Sequence, residues 1–240
     1  MSSQGRYRLH YFTYPARAEP ARLMLTIGNI PFDDVTYTPE SYAEFKPKAP
    51  FGQVPVLEFP DGSMLAQGGA IDRYVAKLVG LCPADPLAVA RADEAAFHVE
   101  DFFATAHPEA AFHVEDFFAL FRPTWYMSTA EEKAAARRAI LEGPGRDKLL
   151  SLSRLIEEAE AAGGWIAGDK MSYADIIVFA NLSLLISPAM EGTPPPNLYD
   201  QYPVLKAFRD RVARVPGVRE FYRTHTEPIR SSFRPDSERA

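Results

Sequence analysis

Apolar positions along this chain follow two different rhythms. Near the N-terminus they alternate, then recur every three to four residues, and then alternate again. Tyr7–Phe12 predicts a strand, because Tyr7, Leu9 and Tyr11 fall on one face. Ala16–Ile27 predicts a helix stopped by Gly28 and Asn29. Asp34–Tyr37 and Val54–Phe59 read as further strands, followed by a turn at Pro60-Asp61-Gly62, a short strand at Ser63–Ala66 and an amphipathic helix at Ala70–Val79. Pro55 is out of place in a strand, since proline cannot donate to a ladder, and a cis peptide at a tight bend would accommodate it. The expectation is a small α/β domain over residues 1–82.

After the linker LCPADP (81–86) the rhythm is helical throughout. The predicted segments are 87–106, 109–126, 129–142, 146–162, 173–187 and 203–214. Ser128 with Glu131, and Ser172 with Asp175, have capping-box spacing, and Gly143-Pro144-Gly145 divides one helical stretch from the next. From Pro228 onward the chain is polar and proline-containing, which predicts a mobile tail. Residues 83–240 are therefore expected to form an all-helical domain.

Composition narrows the function classes. The chain has 240 residues, 47% hydrophobic and 24% charged, with a net charge of −6. That acidity gives no general reason to expect nucleic acid or an anionic membrane as partner. No stretch approaches the ~20 apolar residues of a membrane span, and MSSQGRYRLHYF lacks the apolar core of a signal peptide. The single cysteine, Cys82, rules out an intramolecular disulfide and suits a reducing, cytoplasmic setting. His98, His107 and His113 come with no HExxH spacing or carboxylate triad, so no metal is expected.

Five stretches, in order, resemble the cytosolic glutathione transferases, nearest the tyrosine-type, sigma-like and nematode-like members. They are LHYFTYPARAEPARLML, PFGQVPVLEF, LAQGGAIDRYVAKLVGL, GDKMSYADIIVFANL and YPVLKAFRDRVARVPGVREFY. The resemblance implies a thioredoxin-like N-terminal domain, an all-α C-terminal domain, glutathione as cosubstrate, a hydrophobic electrophile as the second substrate, and a homodimer. Prostaglandin isomerisation, or a ligand-binding role without catalysis, are the alternatives it leaves open.

The chemistry asks for a donor to a thiolate. A free thiol near pKa 8.5 is only slightly ionised at neutral pH, and lowering it by about two units needs ~2.7 kcal/mol. One charge-assisted hydrogen bond contributes roughly 1.5–3 kcal/mol. By resemblance the donor is Tyr11, with Phe12 beside it and Arg17 favouring the thiolate electrostatically. The resemblance further places Tyr42 and Lys46 at the glycine carboxylate, Gln53, Val54 and Pro55 at the middle of glutathione, and Gln67 and Gly68 at the γ-glutamyl end. Asp93 would reach the γ-glutamyl amine in the partner subunit's site, and Phe51 would insert between two partner helices. Two departures stand out. Gly68 replaces the usual Ser or Thr, removing a hydroxyl but not the backbone N–H, and Ala16 replaces a glycine before Arg17. Of the positions used by serine- and cysteine-type relatives, Thr13–Pro15, only Thr13 carries a hydroxyl candidate besides Tyr14.

One pattern lies outside the resemblance. EAAFHVEDFFA occurs at 94–104 and again at 109–119, so the segments 94–108 and 109–123 form a tandem duplication of fifteen residues. Two copies make no solenoid. Fifteen residues are about four helical turns, which keeps Phe97 and Phe112 within one stripe. Phe97, Val99, Phe102 and Phe103 read as core positions, and His107 before Pro108 predicts a break.

Overall fold

The computed structural model describes residues 5–100, 121, 123–124, 126–188, 190 and 197–239. The first half is a four-stranded sheet in the order β2-β1-β3-β4, with β1 (Tyr7–Phe12), β2 (Phe32–Tyr37), β3 (Val56–Glu58) and β4 (Met64–Ala66). β1 and β2 run parallel and are joined through α1 (Glu19–Ile27), while β3 is antiparallel to both β1 and β4. α2 (Pro39–Phe45) follows β2, and α3 (Gly68–Leu78) follows β4. The Val54-Pro55 peptide is cis, as expected, and β3 begins only at Val56. The expected strand over 54–59 is thus shortened to Val56–Glu58, since Pro55 has no N–H to give the ladder.

α1 is the pivot of the molecule. Its residues Glu19 to Leu25 are all buried, because it packs against α3 on one side and against the helical half on the other. A helix buried all round has no polar face to display. It starts at Glu19 rather than Ala16, since residues 13–18 form bends and turns, and Asn29 rather than Gly28 takes the left-handed conformation at its end (φ 53°). Gly28 is needed for a different reason: a Cβ there would lie 2.3 Å from Cγ1 of Val79.

The helical half begins with α4 (Pro86–Glu100) and continues with α5 (Ala130–Glu142), α6 (Pro144–Ala162), α7 (Tyr173–Leu185), α8 (Pro203–Ala213) and α9 (Pro216–Thr224). α7 is its core, with Ala174, Ile176, Val178 and Phe179 fully buried. At its start Asp175 accepts from the Ser172 backbone N–H at 2.8 Å, the Ser172 hydroxyl at 3.0 Å and the Ile166 N–H at 3.1 Å. The other capping box sits one residue later than expected: Thr129 and Glu132 exchange 3.2 Å bonds. Among the described residues no helix is long and apolar enough to cross a membrane.

Two expectations are corrected. Phe97 is 47% exposed rather than core, and its ring lies 5.3 Å below the Arg73 guanidinium, whereas Val99 is buried as expected. The stretch from Pro228 is not a free tail. It forms two 3-10 turns, Pro228–Phe233 and Asp236–Glu238, and Phe233 is fully buried against Phe179 and Tyr222. The Ser187 hydroxyl donates to the Ile229 carbonyl, that of Ser232 to the Ser183 carbonyl, and Arg209 to the Ser232 carbonyl. An apolar anchor with satisfied polar neighbours holds a segment that its composition alone marks as loose. Phe102, Phe103, the His107-Pro108 break and the second copy of the repeat up to Ala119 lie outside the described residues.

Candidate active site

Tyr11 is placed by β1. Its neighbours Leu9 and His10 are buried on opposite faces of the strand, which is therefore covered on both sides. The ring of Tyr11 meets Phe12 and Tyr14 edge-on, with centroids 5.6 and 6.0 Å apart, and is 5% exposed. Burial pushes its phenol well above the ordinary value, and Tyr14 adds to the effect. The Arg17 charge, the Arg17 backbone N–H and the Arg22 charge oppose it without cancelling it. The hydroxyl, which an ordinary phenol keeps protonated at physiological pH, is thus held still more firmly as a neutral donor. That is the protonation state required for stabilising an anion on a neighbouring sulfur.

Three other segments converge near it. A Cβ built on Gly68 would lie 3.6 Å from the Arg17 carbonyl, 3.8 Å from Cγ of Pro55 and 3.9 Å from Cβ of Arg17. The loop after β1, the cis proline and the start of α3 therefore meet at one point. The first intrahelical bond at this end of α3 runs from the Ile71 N–H to the Gln67 carbonyl. The N–H groups of Gly68, Gly69 and Ala70 precede it and point out of the helix end, a natural seat for a carboxylate. Gln67 caps this end at φ 74° and ψ 118°, a conformation that costs a residue other than glycine about 1–3 kcal/mol and concentrates at ligand sites. Arg17, Lys46, Gln53 and Gln67 are exposed, Val54 is half-buried and Pro55 is buried. Of the sequence-predicted residues of the first half, the structure thus brings Arg17, Pro55 and Gly68 together close to Tyr11, while the side chains of Lys46, Gln53 and Gln67 are exposed.

Two members are engaged in ways their resemblance does not convey. The Tyr42 hydroxyl donates to the Gly52 carbonyl at 2.7 Å, and Gly52 sits at φ +60°. A hydroxyl has one proton, so Tyr42 here secures the loop that presents Gln53, leaving Lys46 as the cation of α2's end. Asp93, on α4, accepts from Arg73 Nε at 2.8 Å, from a second Arg73 nitrogen and from the Tyr173 hydroxyl. Burial would raise its carboxyl, but these partners outweigh that and hold it below its ordinary range.

His10 is a site support that sequence reasoning missed. It is 2% exposed, stacked 4.4 Å from Phe45 of α2, with Nδ1 2.7 Å from the Tyr37 hydroxyl and Nε2 2.8 Å from Glu58. Burial lowers its pKa, partly offset by Glu58. It fastens α2, which carries Tyr42 and ends just before Lys46, to the sheet. Its position on the face opposite Leu9 was the available signal, and it is indistinguishable locally from a solvated histidine. Arg22 and Glu19 were missed likewise. Their i,i+3 spacing reads as a surface pair, yet both are fully buried.

Comparison with known proteins bears on both halves of the chain. Residues 7–77 match the family model of the glutathione S-transferase N-terminal domain, and residues 115–225 match that of the C-terminal domain. Glutathione S-transferase 4 of Caenorhabditis elegans is 28% identical over 223 residues, 93% of this chain and 98% of that protein. Hematopoietic prostaglandin D synthase of Gallus gallus is 29% identical over 212 residues, covering 88% and 92% respectively. Among solved structures, the glutathione S-transferase of Ascaris lumbricoides is similar with a TM-score of 0.72 and 25% identity, over 93% of this chain and 99% of that one.

Proposed function

Because this chain belongs to the glutathione S-transferase family through both of its halves, we propose that it adds the glutathione thiolate to hydrophobic electrophiles, with Tyr11 as the residue that ionises the thiol. The observation that carries this reading is the buried, protonated Tyr11 hydroxyl beside the point where Arg17, cis-Pro55 and Gly68 meet. Its O–H donates to the sulfur, and the Arg17 and Arg22 charges add a positive potential that favours the anion. The N–H groups at the start of α3, with Gln67, receive the γ-glutamyl carboxylate. The backbone of Val54, freed from the ladder by the cis bond, lies at the cysteinyl part with Gln53, and Lys46 faces the glycine carboxylate. Tyr42 orients the Gly52-Gln53 loop. The boundary between the halves is proposed at 82/83, between α3 and α4.

A homodimer fits two features. Phe51 is 66% exposed, which leaves it available to pack into a partner, and Asp93 with Arg73 forms an ion pair that a partner's site could share. A cytoplasmic role in detoxification is the setting this chemistry suits. The similarity to a prostaglandin D synthase favours one second reading, glutathione-dependent isomerisation of a prostaglandin endoperoxide, which would use the same thiolate.

The test is Tyr11→Phe. Turnover of a generic aromatic halide with glutathione should fall by about 10²-fold, and the pKa of the bound thiol should rise by roughly two units while glutathione affinity changes little. Thiolate absorbance against pH reads this directly. Unchanged activity and thiol pKa would move the donor to Thr13 or Tyr14.

A further inference from the structure

Behind Tyr11 lies a charged cluster that joins the two ends of the chain. Glu19 is fully buried, and its two oxygens take bonds from three side chains. Arg22 Nη1 donates to it at 2.9 Å, the Tyr222 hydroxyl at 2.9 Å, and Arg230 through Nε at 3.1 Å and Nη2 at 3.4 Å. The other edge of Arg22 faces the catalytic strand. Its Nη2 donates to the Phe12 carbonyl at 3.0 Å, its Nε to Asp34 at 2.9 Å, and its guanidinium carbon is 5.7 Å from the centre of the Tyr11 ring. One guanidinium therefore grips the end of β1 and lies over the tyrosine ring, while the carboxylate that holds it is itself held from residues 222 and 230.

The charge balance has a direction. Glu19, Arg22 and Arg230 are all buried and carry a net charge of plus one. The remaining partners, Asp34 and Glu227, are 29% and 53% exposed, so water screens their negative charge more effectively. The uncompensated buried charge behind Tyr11 is therefore positive, and a positive potential favours an anion at the tyrosine hydroxyl.

We propose that Arg230 is a positioning residue for thiol activation: acting through Glu19, it holds Arg22 against Tyr11 and the end of β1, and it keeps the buried cluster net positive. The 3-10 turn Pro228–Phe233 is then part of the activating apparatus as well as a cover on α7. The inference rests on Tyr11 as the donor to the thiol, and the experiment separates the two.

Thiolate absorbance of bound glutathione is titrated in the full chain and in Arg230→Ala, Arg230→Lys, Tyr222→Phe and Tyr11→Phe. Arg230→Ala is expected to raise the bound thiol's pKa by ~0.5–1 unit and lower kcat/KM at pH 6.5 about three- to tenfold, with the glutathione KM within about twofold of the parent. Arg230→Lys should recover at least about half of that shift, since it restores the charge without the forked geometry. A purely structural role would lower Tm and leave the thiol pKa of the folded protein where it was, and that result overturns the proposal. If Arg230→Ala yields no folded protein, Tyr222→Phe decides. It removes one donor to Glu19 at nearly constant volume, and a thiol pKa unmoved within error overturns the proposal, while a rise of ~0.3 unit supports it. If Tyr11→Phe raises the thiol pKa and the Arg230 variants do not, only this inference falls. If Tyr11→Phe leaves it unmoved, both fall.

Discussion

At the scale of single residues, the site is defined by what each group is prevented from doing. Tyr11, already a neutral donor at physiological pH, is held further from ionisation by burial. Tyr42 has its one hydroxyl proton committed to the Gly52 carbonyl. Gly68 stands where a hydroxyl-bearing residue is usual, and the structure shows that nothing about packing demands the glycine. A Cβ there meets only ordinary contacts of 3.6–3.9 Å, and the backbone is that of a first helical residue. Gly68→Ser is therefore expected to fold at least as stably and to bind glutathione up to about tenfold more tightly, by one hydrogen bond of ~1–1.5 kcal/mol. Calorimetric titration with glutathione checks it. Weaker binding would mean that the hydroxyl collides with the ligand rather than serving it.

At the scale of elements, the two capping boxes of the helical half have different consequences because one is buried. Thr129 and Glu132 cap α5 in solvent, so Thr129→Ala should cost about 1 kcal/mol. Asp175 caps α7 in the core, where its burial outweighs its hydrogen bonds and raises its pKa. Replacing it leaves the N–H groups of Ser172 and Ile166 buried without an acceptor, so Asp175→Ala should cost ~3–4 kcal/mol. Urea denaturation of the two variants side by side measures the contrast. Equal losses would show that the bonds to Asp175 are replaced by water.

At the scale of the whole molecule, the cluster around Glu19 ties the first half to α9 and to the 3-10 turn Pro228–Phe233. Burial alone would raise the Glu19 carboxyl, but Arg22 and Arg230 outweigh it and hold it below the ordinary glutamate value of 4.5. The unfolded chain therefore takes up this proton first as pH falls. The contribution of Glu19 is present in full above 4.5 and is lost as pH drops from there through the depressed folded value. Between pH 5.5 and 3.5, Tm should fall more steeply for the parent than for Glu19→Gln. Parallel curves would show that other carboxylates, such as Asp93 and Asp210, dominate the acid limb. The proposed homodimer belongs to the same scale. Phe51→Ala should shift a micromolar solution toward monomer in sedimentation, because a side chain so exposed contributes to no core of its own. A variant that stays dimeric would count against insertion into a partner.

What the sequence by itself determined is local and periodic. The strand at Tyr7–Phe12, the cis proline, the helix over 173–185 with its Ser172-Asp175 box and the break at Gly143-Pro144 all follow from side-chain period and backbone chemistry. Tyr11, Arg17, Gln67 and Gly68 are proposed as site residues because each lies in a contiguous motif that can be read without the fold. The tertiary structure alone decided which polar groups are buried. Glu19 and Arg22 look like a surface pair until α7 and α9 cover α1, His10 looks solvated until Phe45 stacks on it, and the proline-containing segment after 228 looks mobile until Phe233 finds the core. Burial is a sum over neighbours distant in sequence, and it turns ordinary charges into a cluster that can bear on the chemistry at Tyr11.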